Sequence, residues 1–240
     1  MALLGILGCI ASLGAGVALW QAGVLPAAMA AHGAMMIVAW GYVLPSGVVV
    51  ARYFKVTPRQ RFPDVLDHPF WWTCHRACQY SGIALASAAL VPMVRSMGLA
   101  GLTSWHGRCG ALVMVMVWLQ MASPLMRGSK GGPTQPEAKP DDRSTWRGDH
   151  YDMTLRRQLF EGWHKSVGWA LVILAQVTIL LGATLADAPD TVLVGIGVME
   201  GALVLAILDS HLRGRWVDTH MALWGPPHTK KAPSQDGASR

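Results

Sequence analysis

Charge is what this sequence has least of. Only 14% of its 240 residues are Asp, Glu, Lys or Arg, and 52% are apolar; an ordinary soluble domain carries about 25% charged residues. The shortage excludes a water-dissolved globular domain. Cysteine is sparse and badly spaced for metal: Cys9, Cys74, Cys78 and Cys109 make no ligand pattern. Cys74 precedes His75 without a Cys-x-x-Cys-His run, which excludes covalent c-type haem attachment, and the thiols read as small packing groups. No hydrolase constellation of nucleophile and base is present. The start of the chain lacks the basic residues that open a signal peptide. Small residues at Ala28-Met29-Ala30 would permit cleavage, but a cut there leaves His32 almost at the new terminus. Stretch 2–20 is therefore read as a retained helix, with Gly5, Gly8, Gly14 and Gly16 suited to close packing.

What the chain does have is apolar length. Stretches 2–20, 27–51, 69–94, 101–126, 158–185 and 190–212 are long enough to span, since about 20 residues cross a hydrocarbon core. The expected fold is an all-α integral membrane protein with six transmembrane helices. It divides into an N-terminal helix and short loop (1–26), a four-helix core (27–185), a last helix (186–213) and a tail (214–240). Basic residues are unevenly shared between the two sides. Arg52, Lys55, Arg59 and Arg61, then Arg127, Lys130, Lys139, Arg143, Arg147, Arg156 and Arg157, then Arg213, Arg215, Lys230, Lys231 and Arg240 fall on one side, against Arg95 and Arg108 on the other. By the positive-inside rule both termini are cytoplasmic, in a multi-pass protein expected in a bacterial inner membrane. The same asymmetry accounts for the net charge of +6, so no nucleic-acid partner is expected. Loop 128–152, with Pro133, Pro136 and Pro140, reads as a flexible connection. The tail, with its Gly225-Pro226-Pro227 turn, reads as a solvated linker.

Four histidines sit one per helix near the starts of consecutive apolar segments: His32, His75, His106 and His164. An ionisable side chain is costly in lipid and marks a functional pathway by default. Consecutive helices joined by short loops run antiparallel, so His32 and His106 share an outer layer, and His75 and His164 an inner one. Each layer offers two imidazoles, the set that a six-coordinate haem iron takes from a helix bundle. Gly110 and Gly168 lie one turn after His106 and His164 on the same face, leaving room for a flat macrocycle, with Gly33, Gly107 and Gly162 nearby. At 1.5 Å per residue the layers are expected about 20 Å apart. His68, His150, His211, His220 and His228 read as solvated, the thirteen methionines as core, and Trp71, Trp72, Trp105, Trp163 and Trp216 as an interfacial belt.

These residues carry a family resemblance. The run HGAMMIVAWGYVLPSGVVVARYF from His32 resembles the first core helix of the cytochrome b561 transmembrane domain, most nearly the type attached to DOMON domains. WWTCHRACQYSG, HGRCGALVMVMVWLQ and WHKSVGWALVILAQVTILLG are similar to its later core helices, so that the likeness covers about residues 27–185. The resemblance implies two non-covalent b haems, ligated by His32 with His106 and by His75 with His164, and electron transfer across a membrane. Family members commonly take electrons from ascorbate and reduce a ferric or radical acceptor. The chain departs from the DOMON type in showing no fused DOMON domain, and its short loops show no ascorbate site. A separate redox protein is the expected substitute.

Three functions follow for test. The first is a dihaem b-type cytochrome carrying electrons across the membrane between a donor and an acceptor, as an electron-transfer protein or a transmembrane oxidoreductase. The second is a quinol-reactive haem b subunit anchoring a larger membrane complex. The third is a haem-free structural or assembly subunit. Arg52 and Lys55 are candidates for haem propionates or an anionic reductant, set against simple positive-inside anchors. Arg76, Lys165 and Arg108, beside the histidines, are similar candidates. Glu200, mid-span in the last helix, is a candidate proton site for quinol chemistry, set against a protonated structural carboxyl or a subunit contact.

Overall fold

An apolar segment in lipid must satisfy its backbone internally, and the helix does so. In the computed structural model, which describes residues 2–139 and 142–226, the chain forms helices and no strand is found among the described residues. The long helices are α1 (Ala2–Gln21), α2 (Ala27–Tyr53), α3 (Phe70–Met97), α4 (Trp105–Ala122), α5 (Leu155–Leu185) and α6 (Asp190–Leu212), followed by the short α7 (Thr219–Trp224). Pro140, Pro227, His228, Lys230, Lys231 and Arg240 lie outside the described residues, as does most of the tail.

Helices α2 to α6 are each long and apolar enough to cross a membrane; the apolar stretch of α1, Gly5–Gln21, is shorter and runs along α2. The chain is an all-α, multi-pass membrane protein. Its core packs α2 on α3 and α4 on α5, with α6 against α5 and α2. The buried centre is Trp40 and Leu44 of α2, Ile83 and Ala86 of α3, Val113 and Val117 of α4, Leu171 and Ala175 of α5, and Met199 of α6.

Local chemistry sets the boundaries. Ser104 caps α4 by accepting from the Gly107 N–H at 3.0 Å, and Thr154 caps α5. The turn Gly98–Thr103 is a 3₁₀ segment, so α4 starts at Trp105, later than the apolar run, and His106 is its second residue. Helix α5 instead starts three residues early, at Leu155, adding a polar turn ahead of His164. Within α2, Pro45 has no N–H for the Gly41 carbonyl, and its ring crowds that carbonyl. The backbone widens to a π-helix over Ile37–Val43. Side chains from two neighbours then hold α2: Gln176 Nε2 donates to the Trp40 carbonyl at 2.9 Å, and Gln79 Nε2 to that of Leu44 at 3.1 Å.

The polar segments correct the sequence reading. The described residues of loop 128–152 and of the tail are only partly solvated; with loop 54–69 they fold into a cap over the end of the bundle that carries most basic residues, here the basic face. Their aromatic side chains find burial in one another: Trp146, Tyr151 and Leu223 form a small core, with Trp224 packed on it. Arg143 donates to the Leu223 carbonyl at 2.9 Å, Trp224 Nε1 to that of Tyr151 at 3.2 Å, and the Asp67 N–H to that of Ala222 at 3.0 Å. His150, read as solvated, is half-buried there; burial first, then Arg157, push it down to about 4, with Glu161 opposing. His211 and His220 are exposed as expected.

Candidate functional site

The four histidines meet in two pairs, one near each end of the core. His32 of α2 faces His106 of α4 with ring centres 6.0 Å apart and planes at 87°. His75 of α3 faces His164 of α5 at 6.3 Å and 78°. Both pairs join diagonal helices of the bundle. A metal ion held about 2 Å from each of two imidazole nitrogens leaves ring centres roughly 6–6.5 Å apart. The observed spacings suit an ion between the rings.

Hydrogen bonds set which nitrogen points inward. Nδ1 of His32 donates to the Ala89 carbonyl at 2.9 Å, Nδ1 of His75 to that of Gly47 at 2.9 Å, and Nδ1 of His106 to that of Thr178 at 3.0 Å. A carbonyl only accepts, so Nδ1 carries the hydrogen and Nε2 keeps its lone pair for a ligand bond. His164 differs. Its Nδ1 lies 2.8 Å from Ser123 Oγ, which itself donates to the Gln120 carbonyl, while Gln120 Nε2 donates to the His164 carbonyl at 3.1 Å. These outer partners orient metal-binding imidazoles.

The same contacts measure depth. Fourteen residues separate His75 from Ala89, the partner of His32, on α3, and fourteen separate His164 from Thr178 on α5; at 1.5 Å per residue the two layers stand about 21 Å apart.

Whether a flat macrocycle fits around each pair can be judged from the glycines. A Cβ added at Gly33 or Gly162 would meet nothing within 4 Å, and at Gly110 and Gly168 the nearest atoms are 3.8 and 4.0 Å away. Gly33 and Gly162 thus face open space, while Gly110 and Gly168, one turn after His106 and His164, are in ordinary contact with no close neighbour over them. Gly107 differs: its Cβ would run into the Gly101 carbonyl, so it serves the turn before α4 rather than a cofactor. Each layer supplies two protein ligands, and no group of three or more His, Cys, Asp or Glu suited to a metal ion occurs among the described residues. Two facing imidazoles are a donor set that would hold a haem iron, with His32 and His106 or His75 and His164 as the protein ligands.

Sequence reasoning missed several residues here. Gly182 lets the His106 ring approach: a Cβ would sit 2.6 Å from its Cε1. Gly47 brings α2 close to α3, where a Cβ would lie 2.8 Å from Cys78 Cβ and 3.4 Å from the His75 carbonyl oxygen. Ser123 and Gln120, polar residues buried at the end of an apolar span, were the available signal.

The basic-face pair has a charged surround. Lys55 is only 4% exposed and donates to the Val217 carbonyl at 3.0 Å, so it is not a solvated anchor. Burial first, then Lys165, push it down to about 8, with Glu161 opposing. Arg52 lies over Trp216 and Tyr53. Glu161 of α5 accepts from Arg157 at 2.9 Å, from Lys165, and from Thr219 of the cap at 3.1 Å. At the opposite end, Arg108 donates to the Leu102 carbonyl at 2.9 Å and stacks on Trp105. Glu200, mid-way along α6, has a buried Oε1 without a hydrogen-bond partner among the described residues.

Residues 31–128 match the family model described as "Eukaryotic cytochrome b561". Over these 98 of its 240 residues the chain is similar to cytochrome b561. It is 29% identical to human ferric-chelate reductase 1 over 155 residues, which are 64% of this chain and 22% of that protein. It is 28% identical over 181 residues to a cytochrome b561 and DOMON domain-containing protein of Arabidopsis thaliana, covering 73% of this chain and 37% of that one. The mouse ferric-chelate reductase 1 is 32% identical over 156 residues, 65% of the chain and 22% of the relative. The chain thus spans between about a fifth and two fifths of these relatives. No solved structure matches it. The match and the five apolar spans support a transmembrane haem b electron-transfer protein.

Proposed function

We propose that the chain holds two b haems, one between His32 and His106 and one between His75 and His164, and passes electrons between the two membrane faces. The observation that carries this is the facing imidazole pairs, 6.0 and 6.3 Å apart, each with Nδ1 engaged and Nε2 left free. When bound, each haem supplies a one-electron iron centre. The protein's part is to fix ligand, tautomer and spacing: backbone carbonyls and Ser123 hold the four rings, and about 21 Å between layers makes a two-step path. Arg52 and Lys55 are the cations placed for the basic-face propionates or an anionic donor such as ascorbate.

The excess of Lys and Arg reads the basic face as cytoplasmic. On that reading electrons leave at the other face, and the ferric-chelate reductase relatives suggest a ferric chelate as acceptor, which makes the domain an oxidoreductase. The matched relatives are eukaryotic and lend nothing to a bacterial inner membrane. A second reading, a quinol-reactive subunit of a larger complex, is favoured by the unpartnered Glu200 carboxyl in the bilayer.

The test is the pyridine haemochrome ratio with a reduced-minus-oxidised spectrum of the purified protein. Two low-spin b haems per chain are expected. His106→Ala and His75→Ala should each leave one, at a different potential. Haem-free protein from carefully supplied cells would overturn the reading in favour of a structural subunit.

A further inference from the structure

Arg76 and Arg127, on the basic face, are among the guanidiniums with no anionic partner among the described residues. Arg76 of α3 and Arg127, directly after the turn Ser123–Met126, both lie against the Trp72 ring, at 5.6 and 5.3 Å from its centre. Arg76 also lies over Tyr80. Among the described residues the ion pairs are Arg157–Glu161, Lys165–Glu161, Arg147–Asp152 and Arg213–Asp209, and neither Arg76 nor Arg127 belongs to one. Neither guanidinium donates a hydrogen bond to a described residue. Arg127 is instead crowded by charge of its own sign: burial, then Arg157 and Arg76, hold it below its ordinary value, against a smaller pull from Tyr80.

The gap beside them is apolar. Helices α3 and α4 are consecutive, yet they touch far less than α3 touches α2 or α4 touches α5. Between them lies a cleft of about 490 Å³ lined by Ser87, Leu90, Met114, Val115, Trp118 and Leu119. Val115, Trp118 and Leu119 are exposed, so the cleft opens to lipid. Through the end of α4 and the turn after it, Leu119 is eight residues from Arg127; along α3, Ser87 is eleven from Arg76. These separations are about 12 and 16 Å, close to the acyl depth of one leaflet, about 15 Å or half a hydrocarbon core.

We propose that this groove binds one anionic phospholipid, its phosphate between Arg76 and Arg127 beside Trp72 and an acyl chain in the α3–α4 cleft. The chemistry is charge complementarity: guanidiniums take phosphate oxygens in a bidentate fork, and the indole sits at headgroup depth. A zwitterionic lipid brings its own ammonium and gains less from two cations.

The test places haem-loaded protein in nanodiscs of phosphatidylcholine with phosphatidylglycerol and counts retained lipids by native mass spectrometry. The wild type should keep one phosphatidylglycerol in preference to phosphatidylcholine. Arg127→Gln should weaken that retention about fivefold, and Arg76→Gln with Arg127→Gln about thirtyfold, the factors for one and two interfacial cationic contacts. Because Arg76 adjoins His75, the haem spectrum is recorded alongside, and the single Arg127→Gln variant decides if the double variant loses haem. Equal retention of the two lipids by the wild type, or unchanged retention in Arg127→Gln, would overturn the proposal. A shifted basic-face haem potential with the lipid count unchanged would also overturn it, by naming a haem propionate as the anion.

Discussion

On the dihaem reading, Gly182→Ala should cost the protein one of the two proposed haems. The new Cβ would stand 2.6 Å from Cε1 and 2.8 Å from Nδ1 of His106, where ordinary contact begins at 3.4 Å. The ring must retreat by about 1 Å to reach ordinary van der Waals range. The ring is pinned by its Nδ1 bond to the Thr178 carbonyl at 3.0 Å, and a retreat of that size stretches this bond past the useful hydrogen-bond range. Metal–ligand distances tolerate only about 0.2 Å, so the His32–His106 site loses its second ligand while His75–His164 keeps both. Overpacking itself costs about 1–3 kcal/mol, small enough for the variant to be purified. The assay is the haemochrome ratio with a potentiometric titration. The expected result is a ratio falling from two towards one and a single remaining redox step. Gly201→Ala, whose Cβ meets nothing within 4 Å, is the control and should keep both. Gly182→Ala with two haems at unshifted potentials would refute the ligand geometry.

Ser123→Ala removes the partner of His164 Nδ1 and should weaken basic-face haem retention roughly 10- to 100-fold; transfer to apomyoglobin measures this, and Ser123→Thr should restore it. His150 has a folded value of about 4, below the ordinary 6.5, so the unfolded chain takes up its proton first. The stability it allows is present above about pH 6.5 and is lost as pH falls towards 4. Hydrogen-exchange protection over residues 128–152, corrected for the intrinsic pH dependence of exchange, should therefore fall through that window, and His150→Phe should flatten the dependence. Glu200→Gln should slow haem reduction by a quinol if its carboxyl takes the proton; unchanged kinetics would remove Glu200 from that role.

The spans and the histidine positions were legible because both follow from composition and helical spacing: a run such as 190–212 must be a helix in lipid, and its length is its signal. The facing of His32 with His106 was legible from antiparallel order alone. What holds the rings was not. The carbonyls of Ala89, Gly47 and Thr178 are backbone groups that every residue carries, so no residue type marks them. Gly107 and Gly182 look alike as letters, yet one serves a turn and the other admits the His106 ring. The cap was misread for a similar reason. Pro, Gly and charge make loop 128–152 look solvated, while its burial comes from Trp146 and Tyr151 meeting Leu223 and Trp224, which stand more than seventy positions away.

That distance in sequence fixes an order of assembly. Residues 215–226 are made after every transmembrane helix, so until α6 has entered the bilayer Lys55 lacks the Val217 carbonyl and Glu161 lacks the Thr219 hydroxyl. His75 and His164 come together only when α5 joins the bundle, so a group entering from the basic face has the interval between that step and the docking of residues 215–226 before these two contacts form. After docking, both contacts must break before the cap can lift.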